Sequence, residues 1–525
     1  MKNQLTTVIK RYWKDLFSLF LLFGIPVFVF RWVPHTYFQQ DEWYFMGQSL
    51  IARTDVSIPF RIFSGMHFAP VEQLWLFFQY KIFWLDSYAS GVISLCTHIV
   101  VIFLGYVLLR IFSVKRLICV VSLLFFALNP VSSQVVSWSP AAASGGVSVI
   151  LFLLGILLWI INWSEKNVSV KILSGMVLFL SLFAKVDILT GFACVYIGTL
   201  FVKDKKSIDY KTIIFPLVLW VCIYMYFWMF GVKETAGTPH LSTHQIVSYI
   251  KIIPSWMGNI ILTHNTLKSV LQFGFGRYAT YVPFIDNDPI LKIVCMVTAG
   301  FTFLWYLITS LLNKISLKKV LVFPFLVILS LLPYIFSISN GLESRYFYNG
   351  VFITGLWITV YLHWMIKSKH QKIYKGSIAF LVLLISFFSV ADQPYSDYVP
   401  FQIKRKHIVT EMQKIVTPSP GTVVYYFENG STSPFQSGIG HMLLVLQSRN
   451  DPSFLPYLKS YFLWGIFEEG YMSIGDKGFG YYFDRKRLQT DMDNGLFSRE
   501  SIRAFVFDPY NRTILPNTKN WLQDL

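Results

Sequence analysis

The sequence contains few charged residues. Of its 525 residues only 14% are Asp, Glu, Lys or Arg, whereas 54% are hydrophobic and 18% are aromatic. This composition excludes a disordered chain and a string of soluble domains, because neither class carries so much apolar surface for so little charge. The chain is therefore expected to be an integral membrane protein.

Cysteine is also scarce, and its positions exclude a disulfide framework. All five cysteines lie in or beside apolar runs, and none lies after residue 391. They are Cys96, Cys119, Cys194, Cys222 and Cys295. Cysteine usage therefore leaves the redox compartment open.

Two phosphate-binding motifs are absent. The sequence has no Gly-x-x-x-x-Gly-Lys-Ser/Thr loop, and it has no Asp-x-Asp pair in its predicted cytoplasmic segments. Neither ATP coupling nor a nucleotide-sugar donor is therefore supported. An internal repeat of about 20 to 50 residues is also absent, which argues against a repeat protein.

The excess of basic residues is confined to one part of the chain. The sequence has 45 basic and 28 acidic residues, a formal net charge of +17. From residue 392 onward the two kinds are balanced at 14 each, so the whole excess lies in residues 1–391. Most of it falls in short loops between apolar runs, which indicates membrane topology and not nucleic-acid binding.

Eleven apolar runs approach the length of about 20 residues that a membrane span requires. They lie near 16–33, 90–112, 117–135, 145–162, 172–184, 188–202, 213–230, 290–312, 320–338, 349–366 and 376–391. With the N-terminus inside, the cytoplasmic segments contain 20 basic and four acidic residues, as the positive-inside rule requires. We predict a multi-pass protein of the plasma (inner) membrane, with a cytoplasmic N-terminus and an uncleaved first span.

Three regions are predicted to face away from the cytoplasm, at 34–89, 231–289 and 392–525. The first two are rich in aromatic residues and are expected to form short helices at the level of the lipid headgroups. With the spans they complete a predicted catalytic module over residues 1–391. The third region contains two β-type runs, at 422–427 and 503–508, with helical patterns between them. It is predicted to be a small extracytoplasmic α/β domain.

Asp41 and Glu42 follow the first span within a few residues. A carboxylate among aromatic residues beside the bilayer is partly desolvated, which raises its basicity and suits it to accept a proton from a hydroxyl group. The structural alternative is that Asp41 caps a helix at 42–52, with Glu42 solvated in its first turn. Both interpretations stay open on these residues alone.

Two further sets of residues are candidates for a functional site. His67 and Glu72 lie in an apolar stretch of the first outward region, where a lone histidine is ordinarily a packed interfacial residue. Arg345 and Tyr346 lie in the short outward turn before the tenth span, together with Glu343. The planar, charged guanidinium group of Arg345 could bind the phosphate of a lipid through two hydrogen bonds. The alternative is a snorkelling arginine paired with Glu343.

The order of these motifs resembles that of the GT-C superfamily of membrane glycosyltransferases. The nearest branch is that of the protein O-mannosyltransferases and bacterial aminoarabinose transferases. The resemblance covers about residues 10–391 and is carried by Asp41-Glu42, His-Phe-Ala-Pro at 67–70, Leu-Asn-Pro at 128–130, Val-Ser-Trp at 136–138, Ala184-Lys185 and Arg345-Tyr346.

The resemblance implies transfer of a single sugar from a polyprenyl-phosphate-linked donor, with inversion at the anomeric carbon. The acceptor would be a hydroxyl of a lipid, glycan or protein in the cell envelope. By the same resemblance Asp41 is the catalytic base, with Glu42 as the weaker alternative, and Arg345 holds the donor phosphate with help from Lys185. The pocket would be lined by His67, Glu72 and Tyr346.

Metal and cofactor use is not indicated by the sequence. No outward carboxylate has the spacing of a metal site. His240 and His244 would share a helix face, which keeps a divalent metal as an alternative. The turn after Lys185 continues Val-Asp187, whereas many relatives have Lys-Glu there.

Two other classes of function stay open. An O-antigen-type ligase or polymerase would use lipid-linked oligosaccharides and place its catalytic groups in one late outward loop. The 231–289 region, with His264 and Arg277, offers such groups. A non-catalytic protein would be a transporter or a scaffold, although a transporter would show charges within its spans and matching halves. Replacement of Asp41 separates these classes, because only the GT-C hypothesis requires it.

Overall fold

The structure is a computed structural model. The structure describes residues 2–38, 40–61, 68–165, 167–199, 209–230, 243–261, 289–331, 347–366, 371–391, 399–416, 419, 421–428, 439–460, 469–508 and 513–516.

The described chain is built of helices as far as residue 391. In order these are α1 (Lys2–Val29), α2 (Gln40–Ile51), α3 (Pro70–Phe83), α4 (Ser87–Ile111), α5 (Arg116–Leu128), α6 (Pro130–Ser137), α7 (Val147–Glu165), α8 (Val168–Ala184), α9 (Leu189–Thr199), α10 (Lys211–Phe230), α11 (Thr243–Ile261), α12 (Pro289–Leu312), α13 (Leu317–Leu331), α14 (Tyr348–Ile366) and α15 (Gln371–Ala391). A helix overlaps each of the eleven predicted apolar runs. The number of membrane crossings stays a prediction.

Five helical stretches in the described residues are long and apolar enough to cross a membrane. They are Trp13–His35, Ser87–Ile111, Ser139–Trp163, Lys211–Phe230 and Tyr348–Ile366. Large apolar side chains also point outward from the bundle: Phe20, Phe28, Phe230 and Phe301 are 67% to 72% exposed. Water is an unfavourable solvent for such a surface and lipid is a favourable one, which agrees with an integral membrane protein.

The predicted end of the third span is wrong. The apolar run at 117–135 contains two helices, because α5 ends at Leu128 and α6 begins at Pro130. Asn129 between them has an extended backbone (φ −61°, ψ 124°). Proline disfavours a helical conformation in the residue before it, and its missing N–H is tolerated at the start of a helix. By contrast, the predicted break at Lys185 is present between α8 and α9.

The turn after α1 packs closely against the start of α4. A Cβ atom at Gly91 would lie 2.7 Å from the carbonyl oxygen of Val33. One at Gly146 would lie 2.5 Å from Cγ2 of Thr97, farther along α4. A larger residue at either position would require a shift of its neighbour, and the contact at Gly91 fixes the point at which the chain leaves the bundle toward α2.

We call the described residues between 399 and 516 the C-terminal unit. Its elements are α16 (Val399–Ile415), β1 (Val423–Glu428), α17 (Ile439–Asn450), α18 (Leu455–Ser460), β2 (Gly470–Ile474), β3 (Lys477–Tyr482), α19 (Arg485–Asp493), β4 (Ile502–Asp508) and β5 (Thr513–Pro516). The strands form one sheet in the order β2-β3-β1-β4-β5. Strand β1 is parallel to β3 and β4, whereas β2 and β5 are antiparallel to their neighbours. The two predicted β-type runs correspond to β1 and β4.

The two faces of β1 pack against different layers, because side chains alternate along a strand. Tyr426 belongs to a small cluster that includes Leu488 of α19. Tyr425 and Phe427 belong to a larger cluster on the opposite face. The Tyr425 hydroxyl donates to Oε1 of Gln447 in α17 at 3.0 Å, which holds α17 over the sheet.

The larger cluster is shared with the first outward region. Trp43 of α2 and Tyr457 of α18 are both fully buried in it. Helix α2 packs against α17 and α18 on one side and against α3 on another. The C-terminal unit therefore covers α2. We call this side of the bundle the outer side, since the charge distribution predicts that it faces away from the cytoplasm.

Gly47 lies where α2 meets the C-terminal unit. A Cβ atom there would lie 3.2 Å from Cδ2 of Leu458 and 3.4 Å from Cγ2 of Val445. A leucine would overpack this contact, so we expect Gly47→Leu to lower the free energy of unfolding by about 1–3 kcal/mol. Thermal unfolding of the purified protein in detergent measures this change. The matched control is Gly24→Leu on α1, where nothing lies within 4 Å. Equal melting temperatures for the two variants would contradict a packed contact.

Candidate active site on the outer side

The two predicted catalytic carboxylates lie in the first turn of α2. Asp41 and Glu42 are its second and third residues. The backbone of Asp41 is described, whereas its side chain lies outside the described residues. The Glu42 side chain is buried, with only 5% of its surface exposed. The alternative of a solvated Glu42 is therefore wrong, and the helix begins at residue 40 and not at 42.

Glu42 is held by a hydroxyl group from a distant part of the chain. Ser139 Oγ donates to Glu42 Oε1 at 2.6 Å. The Tyr80 hydroxyl lies 2.9 Å from the same Ser139 oxygen. Because the Ser139 proton is directed at the carboxylate, Tyr80 is the donor in the second bond. We call this buried chain of Tyr80, Ser139 and Glu42 the Glu42 network.

The charge of Glu42 acts on two tyrosines. Burial raises the pKa of Tyr80 well above its usual value, and the negative charge of Glu42 raises it further. Burial and then the charge of Glu42 also raise the pKa of Tyr37. Both hydroxyls therefore keep their protons throughout the physiological pH range. Hydrogen bonds to an ionised acceptor are the stronger kind, so a protonated Tyr80 supports the bond from Ser139 to the carboxylate.

The segment after α6 brings Ser139 to Glu42. Trp138 has an extended backbone (φ −131°, ψ 114°), and a helical turn of three residues begins at Ser139. The next five residues, Ala142–Gly146, form a π-helical turn before α7. Such turns are rare and occur frequently at functional sites. The Val-Ser-Trp motif at 136–138 thus ends directly before the residue that binds Glu42.

Helix α3 is amphipathic in the opposite sense to a helix of a soluble protein. Its buried face is polar and includes Glu72, Gln73, Gln79 and Tyr80. Its exposed face is apolar and includes Trp75, Phe78 and Ile82. A helix of this kind lies in the membrane surface, with its apolar face in lipid. The predicted pocket residue Glu72 is therefore on the side of α3 that faces the protein.

Lys185 and Asp187 form a buried ion pair at the break between α8 and α9. Lys185 Nζ and Asp187 Oδ2 are 3.0 Å apart, and both residues are buried. Two positions earlier, Phe183 packs edge-on against Phe68, with ring centroids 5.7 Å apart. The break is therefore close to the start of α3, and Asp187 compensates the charge of the lysine.

The start of α14 is fixed by a histidine in α4. The Ala127 carbonyl accepts a hydrogen bond from His98 Nε2 at 3.1 Å. His98 Nδ1 is therefore the acceptor for the Tyr348 hydroxyl, 2.9 Å away. Tyr348 follows Arg345 by three positions, so this bond anchors the helix that continues from the predicted phosphate-binding turn. Neither His98 nor Tyr348 was predicted from the sequence, because a histidine in an apolar run gives no distinctive signal.

The Leu-Asn-Pro motif joins the end of α5 to the 231–289 region. Asn129 Nδ2 donates to the carbonyl oxygen of Ile260 at 2.8 Å. Asn129 ends α5, and Ile260 lies in the last turn of α11. The motif therefore connects the 231–289 region to the start of α6, the helix that precedes Ser139.

Several predicted site residues lie outside the described residues, namely His67, Arg345, Tyr346, His240, His264 and Arg277. His244 lies on α11, where only its backbone is described. Within the ranges that the structure describes, no group of three or more His, Cys, Asp or Glu residues could hold a metal ion. The roles of these residues stay predictions.

An apolar cavity of about 490 Å³ lies among α12, α14 and α15. Phe125 of α5 and Ile261 of α11 border it near the Asn129–Ile260 contact. Farther along the helices its walls include Phe301, Trp305, Trp357, Tyr361, Phe380 and Leu384. Because Phe301, Trp305 and Phe380 are 70%, 54% and 54% exposed, the cavity is open toward the apolar surface of the bundle.

Removal of the Ser139 hydroxyl tests the Glu42 network. Ser139→Ala leaves a buried carboxylate without its short hydrogen bond, so we expect a loss of about 1–3 kcal/mol in the free energy of unfolding. Tyr80→Phe should cost less, and the double variant should cost less than the sum of the two losses, since the residues form one network. Unfolding in detergent measures all three. The control is Ser386→Ala, which removes an exposed hydroxyl bonded to Val382 O. Additive losses would contradict the network.

Comparisons with known proteins give a likeness in structure alone. No family model matches the chain, and no curated protein is a significant match. The oligosaccharyltransferase of Archaeoglobus fulgidus in its apo form is 13% identical with a TM-score of 0.46, over 83% of this chain and 64% of that one. This chain thus spans less than two thirds of its length.

Two further structures are similar. ArnT of Cupriavidus metallidurans bound to undecaprenyl phosphate is 10% identical with a TM-score of 0.37, over 84% of this chain and 87% of that one. The archaeal oligosaccharyltransferase AglB of Archaeoglobus fulgidus, in complex with an inhibitory peptide and a dolichol-phosphate, is 12% identical with a TM-score of 0.47, over 98% of this chain and 75% of that one.

Proposed function

We propose that this chain is a membrane glycosyltransferase. In the proposed reaction it moves a single sugar from a polyprenyl-phosphate-linked donor to an acceptor hydroxyl on the outer side, with inversion at the anomeric carbon. The observation that supports this most directly is the pair of carboxylates at the start of α2, Asp41 and Glu42. Glu42 is buried and is held by Ser139 and Tyr80. Burial of a charge is costly, so such an arrangement is expected where chemistry needs it.

The two carboxylates are proposed to have different roles. Oε1 of Glu42 already accepts a hydrogen bond of 2.6 Å from Ser139, so Glu42 is suited to hold α2 in place. Asp41 is its neighbour on the same helix, and we assign it the role of general base toward the acceptor hydroxyl. A base carried by a fixed helix needs little reorganisation when the proton moves.

The donor phosphate is proposed to bind at the start of α14. Arg345 precedes Tyr348 by three positions, and Tyr348 is anchored by His98. The planar guanidinium of Arg345 would bind two phosphate oxygens and stabilise the charge that develops on the leaving phosphate. Lys185 would add a second positive charge, held in position by Asp187. His67, Glu72 and Tyr346 are proposed to line the pocket between the carboxylates and the phosphate.

The isoprenoid tail of the donor is proposed to occupy the apolar cavity. The cavity borders α14 from Thr354 to Tyr361, which lies about 9 to 20 Å along the helix axis from Tyr348 at 1.5 Å per residue. A lipid whose phosphate binds before Tyr348 would therefore extend its tail past these residues. Aromatic and aliphatic walls suit such a chain, because lipid tails bind by apolar contact.

Asp41→Asn tests the proposed base. We expect it to lower the rate of sugar transfer by about 10²- to 10⁴-fold, since an amide cannot accept the proton. Glu42→Gln should reduce the rate much less, because its amide oxygen can still accept the bond from Ser139. Transfer is measured with purified protein in detergent, from radiolabelled polyprenyl-phosphate sugars, after unfolding curves have shown that both variants are folded.

The results of that assay also separate the alternatives. Equal activity of Asp41→Asn and the wild type would exclude Asp41 as the base and direct attention to Glu42 and the 231–289 region. A wild-type protein that is inactive with every single-sugar donor but transfers a lipid-linked oligosaccharide would be an O-antigen-type ligase. Inactivity with both kinds of donor would favour a transporter or a scaffold.

Arg345→Lys tests the proposed phosphate site. Lysine keeps the positive charge but loses the planar fork, so we expect kcat/KM for the donor to fall about 10- to 100-fold. The KM for the acceptor should not change. The matched control is Arg31→Lys on the outer side, where the exposed guanidinium lies 4.6 Å from the ring centroid of Phe28. Equal donor kinetics for the two variants would exclude a phosphate contact by Arg345.

A further inference from the structure

Arg449 joins the C-terminal unit to the end of α3. It lies in the last turn of α17, and its guanidinium carbon is 3.8 Å from the centroid of the Trp84 ring. Trp84 follows α3 directly and has a positive φ of 46°. This conformation is unusual for a bulky residue, and the Trp84 N–H is held by the carbonyl of Tyr80, a member of the Glu42 network. The position of the ring is therefore set by the same helix as the network.

A second arginine lies at the contact between α2 and α17. Arg53 follows α2, and α2 packs against α17. Burial lowers the pKa of Arg449, and the positive charge of Arg53 lowers it further. At the contact of the two helices a Cβ atom at Gly47 of α2 would lie 3.4 Å from Cγ2 of Val445 of α17. Arg53 and Arg449 follow these residues along the chain and are both exposed, so the packing of α2 on the C-terminal unit places two exposed arginines near one another. A stacked guanidinium keeps its N–H donors available in its own plane, since only its face is covered.

The acidic residues nearest in sequence are engaged elsewhere. Asp451 Oδ2 pairs with Lys477 Nζ at 2.9 Å, and Asp55 Oδ2 pairs with Arg61 Nη2 at 2.8 Å. Asp86 Oδ1 accepts the Ala89 N–H at 3.0 Å as the N-cap of α4. Among the ion pairs of the described residues, none joins a carboxylate to Arg53 or Arg449. Two adjacent cations without a protein counter-charge favour an external anion.

The pair lies between the end of α3 and the start of α4, where we expect the membrane surface. Ile82 and Phe83, directly before Trp84, are exposed apolar residues, and the apolar helix α4 begins three residues after Trp84, at Ser87. Aromatic residues at the ends of spans lie at the level of the lipid headgroups. Phosphate groups are the anions found at that level, and the guanidinium fork matches their geometry.

We propose that Arg53, Arg449 and Trp84 form a binding site for a phosphate-bearing anion, separate from the proposed donor site. The position of Trp84 favours the headgroup of a membrane lipid, and free phosphate has the same chemistry. A lipid headgroup bound at this site would hold the C-terminal unit at the membrane surface beside α3. The proposal does not depend on the proposed glycosyl transfer, because it concerns only binding.

The test is direct binding to the full-length protein in detergent, measured by native mass spectrometry. The probes are short-chain phosphatidylglycerol and, separately, inorganic phosphate. We expect Arg53→Gln/Arg449→Gln to weaken phosphatidylglycerol binding about tenfold or more, the range expected for loss of charge-assisted hydrogen bonds. Arg449→Lys, which keeps the charge, should weaken it less. Arg499→Gln is the control, since Arg499 is an exposed arginine of the same unit on another element.

Each outcome decides the proposal. A loss of phosphatidylglycerol binding in the double variant only, without competition by inorganic phosphate, supports a lipid headgroup as the ligand. Displacement of the lipid by inorganic phosphate supports the same site with a water-soluble source. Equal binding by the wild type, the double variant and the control would overturn the proposal, and so would the absence of binding of either probe to the wild type. Unfolding curves show whether a loss of binding reflects loss of folding.

Discussion

The burial of one carboxylate constrains the whole outer side of this molecule. Glu42 is almost fully removed from solvent, and an ionised group in such a place is stable only if its oxygen atoms are hydrogen bonded. The bond comes from Ser139, which is in turn bonded to Tyr80. Helices α2 and α3 and the segment after α6 therefore cannot move independently, since a shift in any one would lengthen a bond to a buried charge.

Helix α2 is also held from two opposite directions. On one side α3 places Trp75, Phe78 and Ile82 on its exposed face, where they suit lipid. On the other side the sheet of the C-terminal unit and its helices share a hydrophobic core with α2. Helix α2 is thus packed between α3 and a folded unit. This packing removes Glu42 from water, which strengthens electrostatic effects at its carboxylate.

Local sequence patterns predicted much of the fold, and contacts between distant residues account for what they missed. The apolar runs, the break at Lys185 and the strands β1 and β4 all depend on residues within one element, so composition and spacing are sufficient to find them. The end of α5 was also marked locally by Pro130, although the apolar run continued past it. The burial of Glu42 was not predictable in this way, because its partner Ser139 is 97 positions away. The Asn129–Ile260 bond spans 131 positions, and nothing in either local sequence indicates the other.

The adjacency of Asp41 and Glu42 has a physical consequence for the proposed reaction. A carboxylate that takes up a proton keeps one acceptor oxygen but loses its negative charge, so a hydrogen bond to it is no longer charge-assisted. If Glu42 were the base, each turnover would weaken its bond from Ser139, and the hold on α2 would weaken during the reaction. A neighbouring carboxylate removes this conflict. Glu42 can stay ionised and hold the helix while Asp41 exchanges the proton, so the network serves as the rigid support that a general base requires.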